Sequence, residues 1–241
     1  MRSRQDQADP VFLDEKTARK QAERQVLRDA LGGGLEAEAI EWTADSAIAP
    51  ALLASPRIQL RQWQDSDRAP FAAMVADPEV MRHFPATLNR QECDAWLDRT
   101  MQKINERGWG FWAIDYLAGA GSAPQFAGFT GLNIPEPELP IGPCVEVGWR
   151  LAPSFWGLGL ASEAARLSLR VGFESLGLDE VVAVTTLRNT PSRAVMQRLG
   201  MLESPADEFD HPAFPADSPE RRCCVYRLSR ARWRELVQTP P

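Results

Sequence analysis

The sequence predicts a mixed α/β sheet, antiparallel through its middle, with one parallel crossover. From Arg57 onward, runs with period-two apolar alternation trade places with runs of helical period. Three strand-like runs between 109 and 151 follow one another with only turn-rich or Pro-rich links, as antiparallel neighbours do. A helical run from Gly159 then lies between apolar runs at 144–151 and 180–187, which is the pattern of a β-α-β unit.

The elements follow in order. Over 14–31, Ala22, Val26 and Ala30 repeat at four-residue spacing beside Leu27 and Leu31, and three glycines from Gly32 stop this helix. Residues 35–55 are Ala/Glu-rich without period, so 1–56 reads as a helix on a linker, either mobile or docked on the body or on a second subunit. Residues 58–63 alternate as a half-buried strand. Asp65 is placed to N-cap a helix through Ala76, and Asp77-Pro78 opens a further short turn. A longer amphipathic helix spans 89–107, with Cys93, Trp96, Leu97, Met101 and Ile104 on one face and Gly108 at its end. Strands are expected over 109–114, 126–134 and 144–151, with a stiff loop at 135–143 that holds four prolines. A helix over 159–176 ends at Gly177, and a β-branched strand spans 180–187. Thr190-Pro191 opens a helix that ends at Gly200. One more strand near Met201, a last strand over 223–228 and a terminal helical turn over 231–237 complete the chain. No internal repeat is present.

Composition bounds the function. The 241 residues, 44% apolar and 25% charged, suit one globular domain with an appendage. Net charge is −6, so a basic surface for nucleic acid is not expected. No run reaches the roughly 18–20 apolar residues of a membrane span, and the N-terminal stretch lacks the apolar core of a secretory signal, so the protein is expected to be cytoplasmic. Cys93, Cys144, Cys223 and Cys224 show no metal or redox spacing; the vicinal pair reads as strand packing, and no metal is expected.

The most informative run is 146–164, where a strand enters a Gly-x-Gly-x-Ala turn (Gly157, Gly159, Ala161) that opens a helix. Successive N–H groups at such a start form an anion nest, so the expected ligand carries phosphate. The dinucleotide fingerprint fails because its third small position falls on Ser162, and no lysine is present for a Walker loop. The competing reading is a Gly turn for tight helix–strand packing. Thirty-two residues after Gly157, Asn189 begins a helix that closes on Leu199-Gly200-Met201.

Together the two runs resemble the GNAT superfamily of N-acetyltransferases, in its ribosomal-protein (RimJ/RimL-like) branch. The 110–114 strand, the 209–212 stretch and the closing 225–228 run fit as well, and the resemblance covers about 57–235. It implies a mixed, mostly antiparallel central sheet with splayed middle strands, flanked by helices, and a tail at 236–241. Acetyl-CoA would lie between the 144–151 and 180–187 strands, with its pantetheine arm near Leu151 and Ala152. Its pyrophosphate would meet the amides from Trp156 through Gly157, Leu158, Gly159, Leu160 and Ala161, with the Ser162 hydroxyl beside them. Asn189 would touch the cofactor or simply make a turn. Ser154 stands where the wider superfamily often has Gln or Arg, and Met196 stands where it has an acidic Tyr.

The reaction implied is acyl transfer from a thioester to an amine. Glu146, on the strand face it shares with Gly148 and Arg150, is the first expected base. Its alternative role is a sheet-face carboxylate, with Arg150 as its partner. His211 is the second expected base, unless Asp-His-Pro merely orders a loop; His83 is expected to be structural or to line the acceptor groove. Ser192 would hydrogen-bond the leaving sulfur or serve as a first-turn polar residue. Trp109, Phe111, Trp112, Trp149, Phe155 and Trp156 are divided between acceptor wall and core. The acidic balance leans towards a cationic amine or basic peptide. The expected function is transfer to a primary amine, either a protein N-terminus or a small amine, by a monomer or homodimer. The alternative is a CoA-binding sensor without turnover.

Overall fold

The computed structural model describes residues 48, 52–119, 121–136 and 139–238. The helix expected over 14–31 lies outside them. The described chain runs β1 (Ile58–Arg61), a 3-10 turn (Asp65–Asp67), α1 (Arg68–Ala76), α2 (Pro78–Met81), α3 (Arg90–Arg107), β2 (Phe111–Tyr116), β3 (Gln125–Asn133) and β4 (Glu146–Leu151). It continues with α4 (Leu160–Arg170), β5 (Glu180–Thr186), α5 (Thr190–Arg198), β6 (Leu202–Glu203), β7 (Phe209–Asp210), β8 (Arg222–Ser229) and α6 (Arg230–Gln238).

Local chemistry sets the helix ends. Asn89 accepts from the Glu92 amide at 3.0 Å while Glu92 accepts from the Asn89 amide at 2.8 Å, a reciprocal capping box that starts α3. Gly108, at φ 77°, closes it. Asp77 caps α2 through the Glu79 amide at 2.8 Å. The cap ahead of α1 is not Asp65. Asp67, two residues later, accepts from the Gln64 amide at 2.8 Å and from Arg61, because that buried position also neutralises the arginine; Asp65 stays outside and meets Arg68. The helix expected over 159–176 is α4 followed by a π turn, Val171–Ser175.

The sheet order is β1-β2-β3-β4-β5-β8-β6, with β7 also on β8. Every pairing is antiparallel except β4–β5, the two ends of the crossover through α4. β7 was not expected, since two residues among prolines carry no readable period. The last helix, expected over 231–237, spans Arg230–Gln238.

Helices cover both faces. On β3, Phe129 and its neighbour Thr130 point to opposite sides. Phe129 joins an aromatic cluster with Trp63, Phe71, Trp96 and Phe111, with Trp96–Phe129 centroids 5.0 Å apart and Phe71–Trp96 4.9 Å apart. This cluster seats α1 and α3. Thr130 approaches Ser168 of α4 on the other face at 3.5 Å. There α4 buries Leu160, Ala164, Leu167 and Ser168, while Phe173 stacks on Trp233 of α6. Trp109 and Trp112, considered above as acceptor wall, are core residues at 0% and 2% exposure.

Candidate active site

The sheet opens in its middle. β3 and β4 pair along six residues, whereas β4 and β5 share a single register pair, Glu146 with Val182, next to a 3.0 Å bond from the Val182 amide to the Val145 carbonyl. Beyond it the strands diverge. Alternation from that bridge aims the Val147 carbonyl and both main-chain groups of Trp149 at the gap. The gap continues into a cleft of about 850 Å³ that reaches from the first turn of α4 to Phe84 and His83.

One end of the cleft is the loop before α4. Gly157 and Gly159 lie at φ 74° and 78°, a conformation that side-chain-bearing residues rarely adopt, which explains the two glycines. Gly159 is the N-cap and no side chain caps the helix, so the first amides of α4 are free to meet an anion. Trp156, Gly157, Gly159, Leu160, Ala161 and Ser162 all line this end. Leu158 does not; it is exposed, and its carbonyl accepts from Arg57 at 3.1 Å. Arg57 also pairs with Glu163, Nε to Oε2 at 2.9 Å, and so braces the loop against the start of β1. Arg198 of α5 adds a cation here, donating to Ser162 Oγ at 3.3 Å. Neither arginine carries a local sequence signal, because only the fold brings residue 57 to Glu163 and residue 198 to Ser162.

The positions expected for the pantetheine arm are engaged locally. The Leu151 carbonyl accepts from Trp156 Nε1 at 2.7 Å, and the Ala152 amide donates to Ala127 at 2.9 Å. The unpaired main chain lies further back, at Val147 and Trp149.

The middle of the cleft holds Glu146, Asn189, Ser192 and Met196. Asn189 caps α5 through the Ser192 amide at 3.2 Å and donates to Thr185 Oγ1 at 2.8 Å, so its side chain is occupied by structure. Those bonds set the first turn of α5 that carries Ser192. Glu146 accepts from Asn133 Nδ2 at 2.9 Å, and Arg150 is not its partner. Burial raises the Glu146 pKa; the Asn133 bond and the charge of Lys103 oppose this without cancelling it.

The far end is aromatic: Phe84, Trp96, Phe111 and Phe129 face it, while Trp149 and Phe155 line the wall nearer the loop. His83 is also there. Its Nδ1 lies 2.8 Å from Glu220 Oε2, which accepts from Thr186 Oγ1 at 2.6 Å. Glu220 sits below the ordinary carboxylate range: burial raises it, and the bonds from Thr186 and His83 outweigh that. His211 is not brought to the cleft. Its Nδ1 accepts from the Ala213 amide at 3.2 Å, its ring packs between Phe209 and Phe214, and burial lowers its pKa. It orders the β7–β8 connection.

Among the described residues no group of three or more potential metal ligands occurs, and no helix is long and apolar enough to cross a membrane. All four cysteines are free and buried. Burial pushes Cys144 and Cys223 up to about 12 and Cys224 to about 11.

Known proteins agree with this geometry. Residues 57–202 match the acetyltransferase (GNAT) domain family. The FsC-acetyl coenzyme A-N(2)-transacetylase of Aspergillus fumigatus is 33% identical over 168 residues, 65% of this chain and 67% of that one. An acetyltransferase from Agrobacterium tumefaciens superposes with a TM-score of 0.58 at 26% identity, over 73% of this chain and 92% of that one. A GNAT-family acetyltransferase from Bacillus anthracis, at 20% identity, shares the fold with a TM-score of 0.60 over 74% of this chain and 98% of that one. With an open β4–β5 seam, an uncapped loop at its mouth and a family match over most of the described body, the chain belongs to the GNAT acetyltransferase family.

Proposed function

We propose that the protein is an N-acetyltransferase of the RimJ/RimL-like branch that moves the acetyl group of acetyl-CoA directly to a primary amine, on a protein N-terminus or a small molecule. The observation that carries this reading is the continuity of the cleft. Free amides at the start of α4 and the Arg198 cation suit a diphosphate, and unpaired main chain on β4 suits an extended arm. A carboxylate stands where that arm would end. Bound acetyl-CoA supplies the thioester.

The chain's own residues then do three things. Glu146 accepts the proton of the incoming ammonium, directly or through one water; the ordinary pKa is about 10.4 for a lysine amine and about 7.7–8.0 for an N-terminus. Ser192 donates a hydrogen bond to the leaving sulfur, a role Met196 cannot fill. The aromatic end keeps water away from the reacting amine. The name of the Aspergillus relative describes transfer from acetyl coenzyme A to a nitrogen, which supports the same bond change here.

The test is thiol release from acetyl-CoA over a panel of small amines and peptides, with products identified by mass spectrometry. Acetylated amine in step with free thiol is expected. Tight CoA binding without turnover across the panel would replace this reading with that of a CoA-binding sensor.

A further inference from the structure

The proposed transfer leaves one charged side chain in the cleft without a task. Arg150 pairs in register with Phe129, so it points to the α1–α3 side of the sheet. Its guanidinium carbon lies 3.7 Å from the centre of the Phe84 ring and 5.4 Å from that of Phe129. Its Nε is sealed from solvent with no hydrogen-bond partner. No carboxylate among the described residues pairs with it. Glu146, on the same strand face, is held by Asn133, and Glu220 by His83 and Thr186. Arg61, Arg68, Arg193 and Arg227, by contrast, all meet carboxylates.

A cation whose Nε is cut off from both water and an anion is costly, and aromatic faces return only part of that cost. Burial lowers the Arg150 pKa to about 10, which leaves the group charged at neutral pH. The donor's phosphates are an unsuitable counter-ion: the free amides of α4 belong to the opposite face of the sheet, where α4 packs. What remains within reach is the acceptor.

We infer that Arg150 binds a carboxylate carried by the acceptor amine, so that the preferred substrate is a zwitterion. This rests on the transfer reaction proposed above. Glu146 and Arg150 stand four residues apart on one strand face, roughly 13 Å along the strand. The pair orients such a molecule, with its ammonium towards Glu146 and its carboxylate towards Arg150. The guanidinium fork suits two carboxylate oxygens, while Phe84 and Trp96 flank the spacer between the charges. The overall acidity of the chain, which leans towards a cationic acceptor, is overridden at this end of the cleft by a local positive charge.

The experiment uses the full chain and matched probes: β-alanine, 4-aminobutyrate and lysine, each also supplied as its carboxamide. Wild type is expected to favour the carboxylate forms by about tenfold or more in kcat/KM. Arg150→Gln is expected to raise KM for the carboxylates roughly 10–100-fold and abolish the preference. KM for acetyl-CoA should hold, and Arg150→Lys should restore part of the preference. Equal or better use of the carboxamides by wild type, or a preference that survives in Arg150→Gln, overturns the inference. Where neither series turns over, the broad amine and peptide panel decides the reaction and a binding arm decides this inference. The CoA-loaded protein, labelled with 15N-arginine, is titrated with 4-aminobutyrate and its amide. A shift of the Arg150 Nε signal with the carboxylate alone supports the site; no shift, or the same shift with both, refutes it. The wild-type measurements require no variant to fold.

Discussion

Glu146→Gln separates catalysis from stability within one side chain. Gln keeps an oxygen for the Asn133 bond at 2.9 Å and removes a buried charge. A general base contributes roughly 10²–10⁴-fold. One carboxylate oxygen is already committed to Asn133 and the rest of the path includes water, so the low end applies: kcat is expected to fall about 100-fold, with the Kd for CoA unchanged. The pH profile adds a second readout. Only the carboxylate accepts a proton, and burial raises its pKa, so the acidic limb of wild-type kcat should have its midpoint above the ordinary glutamate value and should vanish in the variant. Stability runs the other way. With the folded pKa above the unfolded one, the stability contributed by this group is full below the unfolded value and lost as pH rises through the folded value. Glu146→Gln should therefore match wild type in acid and melt higher at neutral pH. Thiol-release kinetics between about pH 5 and 9, beside thermal melts at the same pH values, measure both. A variant with wild-type kcat and an unchanged acidic limb would remove Glu146 from the reaction.

Further outcomes follow from other parts of the fold. Gly159→Asp places a side chain at φ 78° and a negative charge in the anion nest, so calorimetry should show CoA affinity at least about 100-fold weaker; equal affinity contradicts the assignment of the loop. Asp67→Ala removes the turn bond to Gln64 and one of the two carboxylates that hold Arg61, leaving Asp115, so urea unfolding should show a loss of about 1–3 kcal/mol, and a loss under about 0.5 kcal/mol would show the network to be idle. The four buried thiols, three of them held at about 11–12, should resist a disulfide reagent at neutral pH until denaturant is added; rapid native labelling would contradict their packing.

Much of this was readable from residues close in sequence. The Gly157/Gly159 turn, the opening of α2 at Asp77 and the alternation of 144–151 each depend on neighbours within a few positions, and local chemistry decides them. The crossover through α4 followed from the order of those elements, and the splayed pair from the resemblance to the GNAT superfamily. What failed depended on distant partners. Asp65, read as the N-cap, makes no cap; Asp67, drawn inward by Arg61, closes the turn ahead of α1 through the Gln64 amide. His211 carried a suitable ring, but burial between Phe209 and Phe214 keeps it from the cleft. His83, expected to be structural or to line the acceptor groove, lines the cleft; its partner Glu220, 137 positions away, was beyond local reading. Arg150 as a partner of Glu146 was the alternative that strand alternation offered; alternation fixes the shared face but not the reach along it, and Asn133 holds the carboxylate instead.

On the proposed reading, the main chain at the start of α4 grips the diphosphate of CoA while its arm enters the β4–β5 gap. Backbone amide shifts in a 15N spectrum, recorded as unlabelled CoA is added, test it most directly. The largest changes should fall on Gly157, Gly159, Leu160, Ala161 and Ser162, with a second set at Trp149. Saturable CoA binding that leaves those amides unmoved and perturbs another surface would contradict the account.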